Sequence, residues 1–148
     1  MAVKPIIFHW QKVQDIVKYK KTRTRRYFFN SCPYAKNDSL YVLEDFAIRR
    51  KDASVLYRAN ESSHPLEYLG IDRWENAQHM PKALARIHLL VTDVRKERVL
   101  GVTERAAQME GYNDRAAFLK YWEIKLKGTT SVRNNPYLHV IDFEYLPF

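Results

Sequence analysis

Nine residues, Lys18-Tyr19-Lys20-Lys21-Thr22-Arg23-Thr24-Arg25-Arg26, hold six cations and two threonine hydroxyls. Positive charge gathered this densely repels itself unless an anion repays it. Hydroxyls set among the cations suit a polar, anionic ligand. The same run also fits an exposed helix end followed by a basic edge strand, whose charges serve only solvation. If the stretch is extended, Thr22, Thr24, Arg26 and Phe28 fall on one face and Arg23, Arg25 and Tyr27 on the other.

Other residues of chemical interest are scattered. His9, His64, His79, His88 and His139 show no recurring metal spacing, and Cys32 stands alone. We therefore expect no metal and no cofactor, and no internal disulfide framework. Cys32 is expected as a small buried apolar residue rather than a nucleophile. The four glycines leave little room for a phosphate-cradling loop. Trp10, Tyr34, Trp74 and Tyr137 either stack on a base or serve packing.

Composition narrows the partner. The net charge is +8, with 14 Lys and Arg against 8 Asp and Glu in residues 1–74 and 11 against 9 in residues 75–148. A basic first half, in a chain that carries ten Tyr, seven Phe and three Trp, fits a nucleic-acid partner, because phosphates need cations and bases need stacking faces. No apolar run approaches the roughly 20 residues that span a bilayer. No secretory signal opens the chain, so a cytoplasmic protein without a membrane partner is expected.

The elements that must position the basic run follow from periodicity. The chain is expected to be one domain, residues 1–148. Lys4 to Phe8 reads as a strand, and Gln11 to Tyr19 as a helix buried through Val13, Ile16 and Val17. Ser39 to Ala47 and Ser54 to Ala59 read as strands, with a long polar loop over 60–80 and at most one helical turn in it. Arg86 to Val99 forms one long or bent strand. Helices are expected from Thr103 to Met109, stopped at Gly111, and from Asn113 to Leu126. Tyr137 to Tyr145 alternates cleanly as a closing strand. Mostly β with interrupting helices implies α+β, in the form of a small β-barrel.

This order of pieces resembles the ASCH domain of the PUA-like superfamily, above all the longer ASCH proteins of phages and prophages. Their pattern is a Lys-Pro-Ile strand, a helix, then Gly-Arg-Lys-Thr-x-Thr-Arg-Arg, which stands here as Tyr19-Lys20-Lys21-Thr22-Arg23-Thr24-Arg25-Arg26. Cys32-Pro33-Tyr34 and Asn37-Asp38-Ser39-Leu40-Tyr41-Val42 continue it, where the family prefers Gly-Asp-x-Leu-Trp-Val. So do Tyr57-Arg58-Ala59, Trp74, His79-Met80-Pro81, Glu97, Glu110-Gly111 and Asn135-Pro136-Tyr137 through Phe143. Two departures stand out: Tyr19 and Asn37 occupy places where glycine is usual.

The resemblance implies a PUA-like fold and a nucleoside, RNA or DNA partner. Some small bacterial ASCH proteins are amidohydrolases that deacetylate N(4)-acetylcytidine, and their lysine, threonine and glutamate match Lys21, Thr24 and Glu110. On that pattern Lys21 would take the proton of Thr24, Thr24 would attack the acyl carbon, and Glu110 would serve the leaving amine. Lys20, Arg23, Arg25, Arg26, Tyr34 and Trp74 would bind substrate or nucleic acid, with Arg26 facing the oxyanion or a phosphate. A non-catalytic RNA- or DNA-binding module, a reader of modified bases or a ribonuclease are the alternatives.

Overall fold

The structure is a computed structural model that describes residues 2–147. Its described residues group into two compact units, 2–22, 37–91 and 143–147 forming one, and Arg23–Lys36 with Thr92–Asp142 the other.

In the first unit β1 (Val3–Ile7) lies parallel to β3 (Ser39–Leu43), with Ile6 opposite Val42. The far side of β3 pairs antiparallel with the opening residues of β6 (His88–Arg98), Leu40 facing Leu89. Helix α1 (Trp10–Val17) buries Val13 and Ile16, two of the apolar positions that its spacing marks out. Phe8 packs against Phe143, with ring centroids 6.0 Å apart.

Glu44 and Asp45 break the expected strand over 39–47. Glu44 is wholly buried and accepts hydrogen bonds from Arg86 Nε (3.0 Å) and Nη2 (2.9 Å), while Asp45 accepts one from the Ala77 amide. Beyond this turn the chain forms a separate ribbon, β4 (Phe46–Ile48) antiparallel to β5 (Val55–Tyr57). Two short helices follow: α2 (Arg58–Glu61) takes the last two residues of the strand expected over 54–59, and α3 (Leu66–Leu69) is a helical turn within the loop expected over 60–80. Leu69 and Ile71 pack there with Ala47, and Trp74 covers them.

In the second unit β7 (Tyr137–Leu146) pairs antiparallel with β2 (Arg23–Arg26) from Asp142 back to His139. Helices α4 (Glu104–Met109) and α5 (Arg115–Lys125) start on the Thr103 and Asp114 side chains, which accept from the amides of Ala106 and Ala117. Such caps satisfy amides that the helix itself leaves unpaired. Phe118, Trp122, Leu126, Val99, Val102 and Leu138 make the core here.

The α+β class stands, but the expected small barrel is corrected to an open sheet. Its hydrogen-bonded order is β1-β3-β6-β7-β2, which ends on β1 and β2 instead of closing. The β4–β5 segment lies outside that sheet because the Glu44–Asp45 turn carries it into a ribbon of its own. Among the described residues no helix is long and apolar enough to cross a membrane.

Candidate functional site

The basic strand β2 sorts its side chains by parity. Arg26 Nε donates to Thr24 Oγ1 at 3.2 Å, so these two share a face. Arg23 and Arg25 point to the other face and meet carboxylates there. Arg25 Nε donates to both oxygens of Glu110, at 2.9 and 3.1 Å, and its Nη1 donates to Glu97 Oε1 at 3.2 Å. The Arg25 guanidinium also lies 5.5 Å from the Phe118 ring centroid.

From Glu97 the pairing runs on. Arg95 Nε donates to Glu97 Oε2 at 2.7 Å, and Arg95 Nη1 donates to Asp93 (2.9 Å) and Asp142 (2.8 Å). Asp142 Oδ1 accepts from Arg23 Nε at 2.7 Å. Three arginines and four carboxylates thus alternate across β2, β7, β6 and the end of α4. Burial disfavours ionisation of Asp142 and Glu97, but hydrogen bonds from Arg23 and Arg95 outweigh it for the first and those from Arg95 and Arg25 for the second. Both carboxyls are held below the ordinary range. Glu110 occupies the C-cap of α4, where a carboxylate opposes the helix dipole; Arg25 offsets that cost.

The other face of β2 is cationic and aromatic. Opposite Arg26 in the β2–β7 register stands His139, and the Phe28 ring centroid lies 5.5 Å from that imidazole. Tyr34 meets Phe28 edge-on at 6.2 Å. Further along this face Arg98 sits over the Tyr137 ring at 4.1 Å and Lys96 at 5.9 Å. Burial, with Lys96 nearby, holds His139 below its ordinary imidazole value. Burial also raises the Tyr34 phenol against the pull of Arg26. Exposed cations beside exposed and half-buried rings make a surface that is electropositive and offers ring faces to planar groups.

The residues singled out in the sequence divide as follows. Arg25 and Glu110 are in direct contact, as are Thr24 and Arg26, but Thr24 and Glu110 lie on opposite faces of β2. Tyr34 joins the aromatic face. Lys20 and Lys21 belong to the first unit, where both backbone amides donate to the Asp15 carbonyl (2.8 and 3.1 Å) and the Lys21 ammonium lies 6.0 Å from the Phe8 ring centroid. Trp74 is spent on packing in the same unit. A surface cavity of about 410 Å³ in that unit touches none of them, and its Arg50 and Arg73 are paired with Asp72 and Glu75. Among the described residues no cluster of His, Cys, Asp or Glu could hold a metal ion.

Solved structures bear on the fold. The chain is similar to a crystal structure of protein EF3133 from Enterococcus faecalis V583, described as DUF984, at a TM-score of 0.56 and 12% identity, covering 99% of this chain and 76% of that one. That likeness supports a small mixed α/β domain and speaks to nothing beyond architecture. No family model matches the chain, and no curated protein does.

Sequence reasoning did not single out Asp93, Arg95, Lys96, Arg98, Phe28 or His139 as site residues. The available signal is the period-2 alternation that any strand imposes, which sends every second residue of 93–98 and of 137–142 to the same face once those segments are strands. What the alternation lacks is the pairing register, and only the register sets His139 against Arg26.

Proposed function

We propose that this chain is an ASCH-type, PUA-like nucleic-acid-binding module, cytoplasmic and non-catalytic, that takes single-stranded RNA or DNA on the face carrying Arg26, Lys96, Arg98, Tyr137, Phe28 and Tyr34. The observation that carries the reading is the division of labour across β2. Arg23 and Arg25 are engaged by carboxylates on one side, whereas the other side presents Lys96 and Arg98 to solvent beside Tyr137, itself 48% exposed.

Support for the ASCH likeness comes from the backbone. Tyr19 (φ 59°) and Asn37 (φ 76°) are left-handed, at the two places where the family pattern has glycine. A glycine preference in a pattern means a positive φ, and both positions have one.

The amidohydrolase reading asks more of the molecule. Glu110 would have to leave Arg25 and pass to the Thr24 side of β2 before it could serve a reaction begun by Lys21 and Thr24. One paired experiment separates the two. N(4)-acetylcytidine is incubated with the protein and followed for deacetylation, while labelled single-stranded RNA is titrated in parallel. The binding module gives salt-dependent binding and no turnover. Turnover that Lys21→Ala abolishes in a folded protein overturns it in favour of the hydrolase.

A further inference from the structure

A buried polar atom without a partner marks a place where the scaffold has left a hydrogen bond unmade. Among the described residues, His139 Nδ1 is such an atom, in a residue only 8% exposed. It sits in the middle of β7, opposite Arg26 on an edge strand, a position where any β-branched apolar residue would serve the sheet at less cost.

Phe28 lies against this imidazole at 5.5 Å with the rings tilted by 58°, and Tyr34 stands at the edge of Phe28. Residues 27–36 form neither helix nor strand, so movement of Phe28 breaks no ladder. An aromatic ring already occupies the place where a stacking ligand would lie. Its displacement would leave Tyr34 as one wall, the imidazole edge as the floor and the Arg26 guanidinium alongside. Burial, with Lys96 nearby, disfavours the charged imidazole, and the neutral ring offers one donor and one acceptor nitrogen.

We propose that His139 is the base-reading residue of this face: an unstacked nucleobase takes the place of the Phe28 ring, and its polar edge hydrogen-bonds to His139 Nδ1. This rests on the nucleic-acid reading above and deepens it, for the cations supply affinity whereas His139 supplies choice among bases.

The test uses the full chain and labelled homopolymeric oligonucleotides of A, C, G and U. The native protein should prefer one base by about tenfold or more. His139→Phe, which keeps a ring but removes the polar edge, should bring the four affinities to within about twofold of each other. His139→Asn should retain part of the preference. Long-range proton–nitrogen NMR of the native protein is the second readout: saturation with the preferred oligonucleotide should shift the His139 Nδ1 resonance. A preference that survives in His139→Phe, or an Nδ1 resonance unmoved at saturation, overturns the subsite, and the NMR result decides even if His139→Phe does not fold. Salt-dependent binding with no base preference overturns the subsite alone. No binding of any oligonucleotide overturns the nucleic-acid reading itself.

Discussion

Arg25 and Glu110 form the most buried ion pair among the described residues of the second unit: one guanidinium nitrogen is shared between both carboxylate oxygens, with the two side chains 3% and 9% exposed. A carboxylate that looks catalytic by motif is thereby the counterion of an arginine from the motif's own basic run. Removing it strands a buried cation that retains only Glu97. Glu110→Ala should therefore lower unfolding free energy by about 3 kcal/mol, a loss typical of breaking a buried pair. Glu110→Gln, which still accepts hydrogen bonds, should cost about 1 kcal/mol. Denaturant titration of the three proteins checks both.

The same network sets the acid limit. Asp142 and Glu97 have folded-state carboxyls held below their ordinary values, net of a burial effect that opposes the hydrogen bonds. A depressed carboxyl contributes stability that is present above the unfolded-state value, near 4, and is lost as pH falls through the folded one. Melting temperature should be level at mild pH and fall below about pH 4. Asp142→Asn should start lower and fall less steeply over that range.

Glu44 and Arg86 provide the opposite sign. Burial raises the Glu44 carboxyl, and hydrogen bonds from Arg86 only partly counter it. Arg86→Ala should cost about 3 kcal/mol at neutral pH, because a fully buried carboxylate loses its cation. Since a raised carboxyl favours folding in its protonated form, the deficit relative to the native protein should narrow as pH falls and Glu44 takes up a proton. Urea melts of both proteins across the acid range give the difference directly.

Tyr19 holds a left-handed backbone (φ 59°) while its ring meets Tyr145 at 5.2 Å. Tyr19→Ala loses the ring contact and keeps the strain. Tyr19→Gly loses the contact and relieves it. The glycine variant should be the more stable of the two by about 1 kcal/mol, the cost of a left-handed residue that bears a Cβ. Thermal melts side by side settle the order.

Local features were legible in the sequence because their causes are local. Thr103 and Asp114 start helices through amides three residues on, Gly111 (φ 100°) stops α4, and Val13 and Ile16 mark the buried side of α1. The alternation of β2 was readable too, since Thr24 and Arg26 pair on one face. Non-local pairings stayed hidden. The β4–β5 segment lies outside the open main sheet, and the turn that precedes it holds Glu44, whose partner Arg86 lies 42 residues further along the sequence. The partners of Arg23 and Arg25 lie 119 and 85 residues away in sequence, so cations that look available in the sequence are engaged in the fold.

On the proposal above, the Lys96–Arg98 face of the second unit meets a phosphodiester backbone. The most direct measurement is the affinity for a labelled single-stranded RNA as a function of salt, for the native protein, Lys96→Ala, Arg98→Ala and, as a control from the opposite face, Arg23→Ala. Affinity should fall linearly in a log–log plot, with the slope reduced by about one for each of the first two variants and unchanged for the third. A slope that Arg23→Ala reduces and Lys96→Ala and Arg98→Ala leave intact would rule out this face as the binding surface.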